Sequence, residues 1–276
     1  MFEEKIIRGP SGKKKGPKFA ALLSVIWASG TREPSKKFCV SGSCTWLSKN
    51  VLVFAAASLT DVLRDLSEIY HEESGIEINI NFGASQMLAQ QLRNGAPGDL
   101  FLPAGESPAS YLIQEGVSHG KPTILLTNKL VFVARKGEPT ISSLKELYES
   151  RSYRVAIASP KLAPAGYYAQ EALIHMGIWE SIQDKIMIGM DVRAALTYVE
   201  MGNADLGIVY KTDALSSSGL TILDLLPVES YSPIVYPAVI IESSPKKELV
   251  QNFIEFLESE RAYSKFKAHG FELKTR

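Results

Sequence analysis

Apolar positions along this chain alternate between two periods. Val51–Ala56 is a short, bounded run suited to a buried strand. From Ser58 the period lengthens. Leu59, Val62, Leu63, Leu66, Ile69 and Tyr70 fall at helical spacing, with Asp61, Arg64, Asp65 and Glu68 on the other face. Gly75 is expected to end that helix. Ile76–Phe82 alternates as a strand, and a second helix is expected from Ser85 to Asn94. Asp99–Leu102 reads as a brief strand and Pro108–Glu115 as a third helix. This β-α-β-α-β rhythm predicts a parallel, doubly wound sheet. After a strand at Leu130–Ala134 the rhythm restarts: a helix at Ser142–Ser150, a strand at Arg154–Ala158 and a helix at Ala165–Met176. A strand at Ile186–Ile188, a helix at Val192–Glu200 and a strand at Leu206–Tyr210 follow. Val235–Ile241 is again strand-like, and helices at Lys246–Leu257 and Arg261–Ala268 close the chain. The count fits two α/β lobes, and sheets of this kind hold ligands at the carboxyl ends of their strands. No repeat at solenoid periods is present.

Composition changes this picture little, but charge is uneven. The 276 residues are 45% apolar and 22% charged, with a formal net charge of zero. Residues 1–50 hold ten basic and three acidic residues, so they carry +7 and the remainder −7. An acidic body with no basic stripe argues against a nucleic-acid partner. In the head, Lys13-Lys14-Lys15 and Lys18 precede the apolar run Phe19–Trp27 and then Ala28-Ser29-Gly30. That order resembles a secretory signal, and the run is too short to span a bilayer. A disordered basic tail is the alternative. Both cysteines, Cys39 and Cys44, lie in this head, and a thiol-free body suits an oxidising compartment. The pair could close a small disulfide loop. Residues 1–50 are read as signal-like head and linker.

Five short stretches carry the candidate chemistry: Ala55–Thr60, Phe82–Ser85, Pro164–Tyr168, Asp191–Arg193 and Gly207–Tyr210. Four lie at or near a helix start, where unpaired N–H donors and a partial positive charge favour an anion. The fifth ends a strand with a Tyr hydroxyl. Each has a bland alternative: Ser58 with Asp61 could form a capping box, Ser85 could cap a helix, and Tyr210 could be packing. Pro164 at a first helical position leaves the amides of Ala165 and Gly166 as donors. Asp191 is a candidate N-cap, while Asp61 is expected to cap backbone or face solvent. Arg193 is expected in a salt bridge or on a lobe surface. An enzyme is not expected. The chain has no nucleophile elbow, phosphate loop or dinucleotide fingerprint, and its four histidines are far apart.

Taken in order and spacing, these stretches with Gly95–Phe101 resemble the periplasmic molybdate-binding proteins of ABC transporters, from about Val51 to Leu273. The resemblance implies a type II solute-binding fold, two doubly wound lobes joined by a two-stranded hinge. On this reading residues 51–130 with 238–276 form one lobe and 131–237 the other. It implies that a molybdate or tungstate oxyanion is held by Ser58 and Ser85 through hydroxyl and amide, by Ala165 and Val192 through amides, and by Tyr210 through its hydroxyl. The metal is met only through the oxygens of the oxyanion, with no direct metal ligand and no further cofactor. The implied partner is a membrane permease of an ABC transporter, and the protein is expected to be an extracytoplasmic or periplasmic monomer. Lipid attachment at Cys39 or Cys44 would suit a tethered binding protein, although neither follows the usual apolar residue. Pro103 and Gln86 depart from the family pattern without being proposed ligands. Molybdate and tungstate are dianions that only accept hydrogen bonds, so a pocket of donors suits them, whereas hydrogen phosphate would leave its own O–H unmatched. A receptor for sulfate or thiosulfate is the alternative, and an oxyanion-sensing regulator domain a more distant one.

Overall fold

Two mixed sheets, each flanked by helices, organise the body of the protein in this computed structural model, which describes residues 38–40, 43–45, 50–137 and 153–273. The chain divides into units 1–47 and 48–276. In the first, Phe38–Val40 (β1) and Ser43–Thr45 (β2) pair antiparallel, with Cys39 opposite Cys44. The expected signal and the helix expected at Ser142–Ser150 lie outside the described residues.

The second unit begins with Asn50–Ala56 (β3), which one 3-10 turn joins to the helix Thr60–Ser74 (α1). Val62, Leu63, Leu66 and Tyr70 form the buried face of α1, and Gly75 ends it in the left-handed region at φ 67°. Glu77–Gly83 (β4), Ser85–Arg93 (α2), Leu100–Leu102 (β5) and Glu106–Gln114 (α3) follow. Next come two strands in succession, Ser118–Asn128 (β6) and Leu130–Arg135 (β7). Val155–Ala158 (β8), Pro164–His175 (α4), Trp179–Ile182 (α5), Ile186–Gly189 (β9), Val192–Glu200 (α6) and Leu206–Tyr210 (β10) continue the alternation. Lys211–Ser216 (α7), Leu220–Leu225 (β11) and Ile234–Ile241 (β12) lead to Lys247–Leu257 (α8), Glu260–Ala268 (α9) and Glu272–Leu273 (β13).

The six-stranded sheet has the order β13-β6-β12-β5-β3-β4 and the five-stranded sheet β11-β7-β10-β8-β9. Each is built alike. Three parallel strands, β4-β3-β5 in one and β9-β8-β10 in the other, meet an antiparallel strand, β12 or β7. The sheets are therefore mixed rather than wholly parallel as the rhythm predicts. β6 and β11 have no counterpart in the sequence reading. Residues of β6 alternate poorly, include Gly120 and Pro122, and are half exposed, so they carry no period-2 signal. The parallel cores, by contrast, are continuous apolar runs because both faces are covered: Val51, Val53, Ala55, Leu100 and Phe101 in one, and Val155–Ala158 in the other, are almost wholly buried. The chain passes from the first sheet to the second at Asn128–Leu130 and returns between Leu225 and Ile234. Asn128 and Ile234 are register partners, so both crossings lie side by side.

Candidate functional site

Five chain segments reach one small cavity from the carboxyl ends of parallel strands, where sheets of this type present their ligand groups. Ser58 follows β3, Ser85 follows β4, Ala165 lies beyond β8, Val192 beyond β9, and Tyr210 is the last residue of β10. All five line the same small cavity, together with small residues such as Ala84, Ala104 and Ala163. All five are buried, at no more than 3% exposure. A wider recess of about 900 Å³ opens on the outer face between α4 and the turn at Glu229–Ser232. The enclosed cavity is where buried polar groups converge, so it is the stronger candidate.

The serines are not helix caps. The first residue flanking α1 is Leu59 and that flanking α2 is Ala84, and neither end has a side-chain cap. Ser58 Oγ instead lies 3.1 Å from Tyr236 Oη, and Asn128 Nδ2 donates to that phenol oxygen at 3.0 Å. Ser85 Oγ accepts from the Ala104 amide at 3.1 Å. Pro164 is the first residue of α4, which leaves the Ala165 amide among the donors that helix geometry does not pair. Gly166 makes this approach possible: a Cβ there would stand 2.0 Å from the Ala158 carbonyl oxygen. Asp191 caps α6 as expected, its Oδ1 accepting from Ala194 N at 3.0 Å. That bond turns one oxygen of the Asp191 carboxylate, a lining group of the cavity, toward the helix. Tyr210 Oη is buried with no hydrogen-bond partner among the described residues. Burial holds its phenol well above the usual range, so it remains a protonated donor.

Asp61 does not cap, and its partly exposed carboxylate is engaged in an ion pair. It accepts from Arg193 Nη2 at 2.6 Å, joining α1 under one sheet to α6 under the other. Arg193 also stands 2.5 Å from Asp213 Oδ1 through Nε, off the hydrogen-bond line, and donates to Ser216 Oγ. Burial pushes the Asp213 carboxyl up to about 7 against the pull of Arg193, with Asp61 and Asp191 adding to the rise. A second link between the halves is the Gln86 amide donating to the Leu162 carbonyl at 3.1 Å. Among the described residues no cluster of three or more His, Cys, Asp or Glu could hold a metal ion. The sequence gives no signal for Asn128, the last residue of β6, or for Tyr236, the third residue of β12, both outside any motif.

Similar proteins share these elements over most of their length. YvgL of Bacillus subtilis (strain 168), whose name describes an ABC transporter substrate-binding lipoprotein, is 37% identical over 222 residues, 79% of this chain and 85% of its own. The molybdate-binding protein ModA of Escherichia coli (strain K12) is 35% identical over 244 residues, 86% of this chain and 94% of its own. Among solved structures, the periplasmic molybdate-binding protein of Azotobacter vinelandii superposes with a TM-score of 0.74 at 26% identity, covering 82% of this chain and all of that one. The two-lobed type II fold is thus common to them. Residues 51–272 match the family described as bacterial extracellular solute-binding protein, and the chain belongs to that family.

Proposed function

We propose that the protein is an extracytoplasmic receptor that captures molybdate or tungstate between two lobes and delivers it to the membrane permease of an ABC transporter. The observation that carries this reading is the small cavity on which five donors converge: the Ser58, Ser85 and Tyr210 hydroxyls and the helix-start amides of Ala165 and Val192, with the lining Asp191 carboxylate turned by one oxygen into its own helix cap. Aligned amides and hydroxyls hold a buried dianion without a basic side chain, by charge-assisted hydrogen bonds. The six-stranded sheet forms the heart of one lobe and the five-stranded sheet that of the other, with the paired crossings as hinge. The anion bridges both and stabilises the closed arrangement by its differential affinity, so capture and release replace chemistry. The names of the relatives support the ligand class, and the family description supports the location. Among the described residues no helix is long and apolar enough to cross a membrane. The signal-like head delivers the chain across the membrane, with Cys39 or Cys44 as sites for a tether, and the receptor works as a monomer.

The test is a thermal-shift panel on the chain from residue 48 onward, one compact unit, with molybdate, tungstate, sulfate, phosphate and thiosulfate. A ligand at about 100 times its dissociation constant adds roughly 2.7 kcal/mol of stability. The expected result is stabilisation by molybdate and tungstate but not sulfate, abolished in the double variant Ser58→Ala with Tyr210→Phe. Stabilisation by sulfate or thiosulfate alone would reassign the cargo, and no shift with any anion would overturn the receptor reading.

A further inference from the structure

The site's donor character is set by residues that do not touch the cavity. Asn128 is buried where β6 crosses to β7, and its Oδ1 accepts from the Lys129 amide at 2.9 Å. That bond fixes which end of the side-chain amide is which, so Nδ2 is the group facing Tyr236 Oη at 3.0 Å and Thr212 Oγ1 at 2.9 Å. An amide nitrogen only donates. Tyr236 Oη therefore receives a hydrogen bond from Asn128, and its own proton is directed at the remaining neighbour, Ser58 Oγ, at 3.1 Å. With its oxygen engaged as acceptor, Ser58 is left with its O–H proton to give. Ser85 is biased in the same way, because the Ala104 amide donates to one lone pair of its Oγ.

We propose that Asn128 and Tyr236 are positioning residues that tune specificity: the chain Asn128→Tyr236→Ser58 turns the Ser58 proton away from Tyr236 and toward the cavity, and so favours oxyanions that carry no proton. The inference rests on the receptor reading above and deepens it. In water a hydroxyl is both donor and acceptor, and a free Ser58 could turn its lone pair toward the proton of a hydrogen phosphate or hydrogen arsenate. An oriented hydroxyl uses one lone pair on Tyr236 and aims its proton at the anion, so a ligand O–H facing it meets a donor and is disfavoured. Selection against protonated tetrahedral anions thus extends beyond the cavity wall into the crossing strands.

The experiment is a mutant cycle read by titration calorimetry with molybdate and with hydrogen phosphate at pH 7. Tyr236→Phe keeps the ring that packs edge-on against Phe271 at 5.4 Å and removes the relay oxygen. Asn128→Leu removes the donor at similar volume. Wild type is measured first: failure to bind molybdate would overturn the receptor reading, whereas binding with unaltered variants would overturn only the relay. Each variant is expected to weaken molybdate binding by about tenfold in the wild-type background, one hydrogen bond's worth. In a Ser58→Ala background the same substitutions should cost less than about twofold, since the relay then has no terminus. The molybdate-to-phosphate affinity ratio should narrow in each single variant. If losses persist undiminished in Ser58→Ala, or both anions weaken by one factor, Asn128 and Tyr236 act only as scaffold and the proposal fails.

Discussion

Asp213 shows how far a single residue can depart from its ordinary chemistry. It is fully buried, neither carboxylate oxygen has a well-aligned hydrogen bond, and its carboxyl is held near 7 by desolvation. A carboxyl raised above its unfolded value binds a proton more readily in the folded state. Its stabilising contribution is complete below about pH 4, the unfolded carboxyl range, and is lost as pH rises through about 7. Replacing it with Asn removes that contribution to the slope. The melting temperature of Asp213→Asn should therefore fall less between pH 4 and 7 than that of the wild type, measured by differential scanning calorimetry. Parallel profiles would show that Arg193 keeps the carboxylate ionised throughout. This residue was invisible in the sequence: Lys211–Ser216 has no amphipathic repeat, and the surroundings of a buried acid there come from Arg193, two elements away, and from Asp61 in the distant α1. Ser58 and Tyr210 were legible, because strand-end motifs announce themselves locally. Their partners were not, because Tyr236 meets Ser58 only across 178 positions of chain and Asn128 meets Tyr236 across 108.

Among the elements, those legible from sequence were the ones buried on a regular period. α1 and α6 follow the apolar spacing, and β3 and β10 are bounded apolar runs. β6 escaped because most of its residues are exposed or only partly buried, without alternation, and its pairing is set by β12, not by its own pattern. The register between α4 and β8 has one sharp requirement, the missing Cβ of Gly166 beneath the Ala158 carbonyl. Gly166→Ala must displace backbone. By the usual cost of overpacking it should lose about 1–3 kcal/mol of stability. It should also draw the Ala165 amide away from the cavity, weakening anion binding more than stability alone explains. Denaturant melts alongside titrations check both, and an unchanged midpoint would show that α4 shifts freely.

For the whole molecule, the ion pair between Asp61 and Arg193 joins the halves that are proposed to close on the ligand. Asp61→Ala should leave the fold intact and speed anion release by a few-fold, as expected for a partly exposed pair worth about 1 kcal/mol or less. Stopped-flow dissociation at low and high salt checks this. The wild-type rate should rise with salt toward that of the variant, and identical rates at low salt would remove the pair from the closing mechanism. The two-lobed arrangement itself was legible, since the β-α rhythm restarts after Leu130. The strands β7 and β12 at the crossings were legible too, but their antiparallel direction was not, because their partners are distant in sequence.

Asn128, Tyr236, Ser58, Ser85 and Ala104 all hang from the six-stranded sheet or the loops leaving it. Rigid rotation of the five-stranded half would leave every bond among them unbroken. One jaw therefore arrives already wired: its two serine hydroxyls point the same way before an anion comes and after it goes. On the proposed closing motion, the other jaw would bring Ala165, Val192 and Tyr210 to the anion by swinging in. Discrimination by charge state is thus written into the landing, and discrimination by size into the grip.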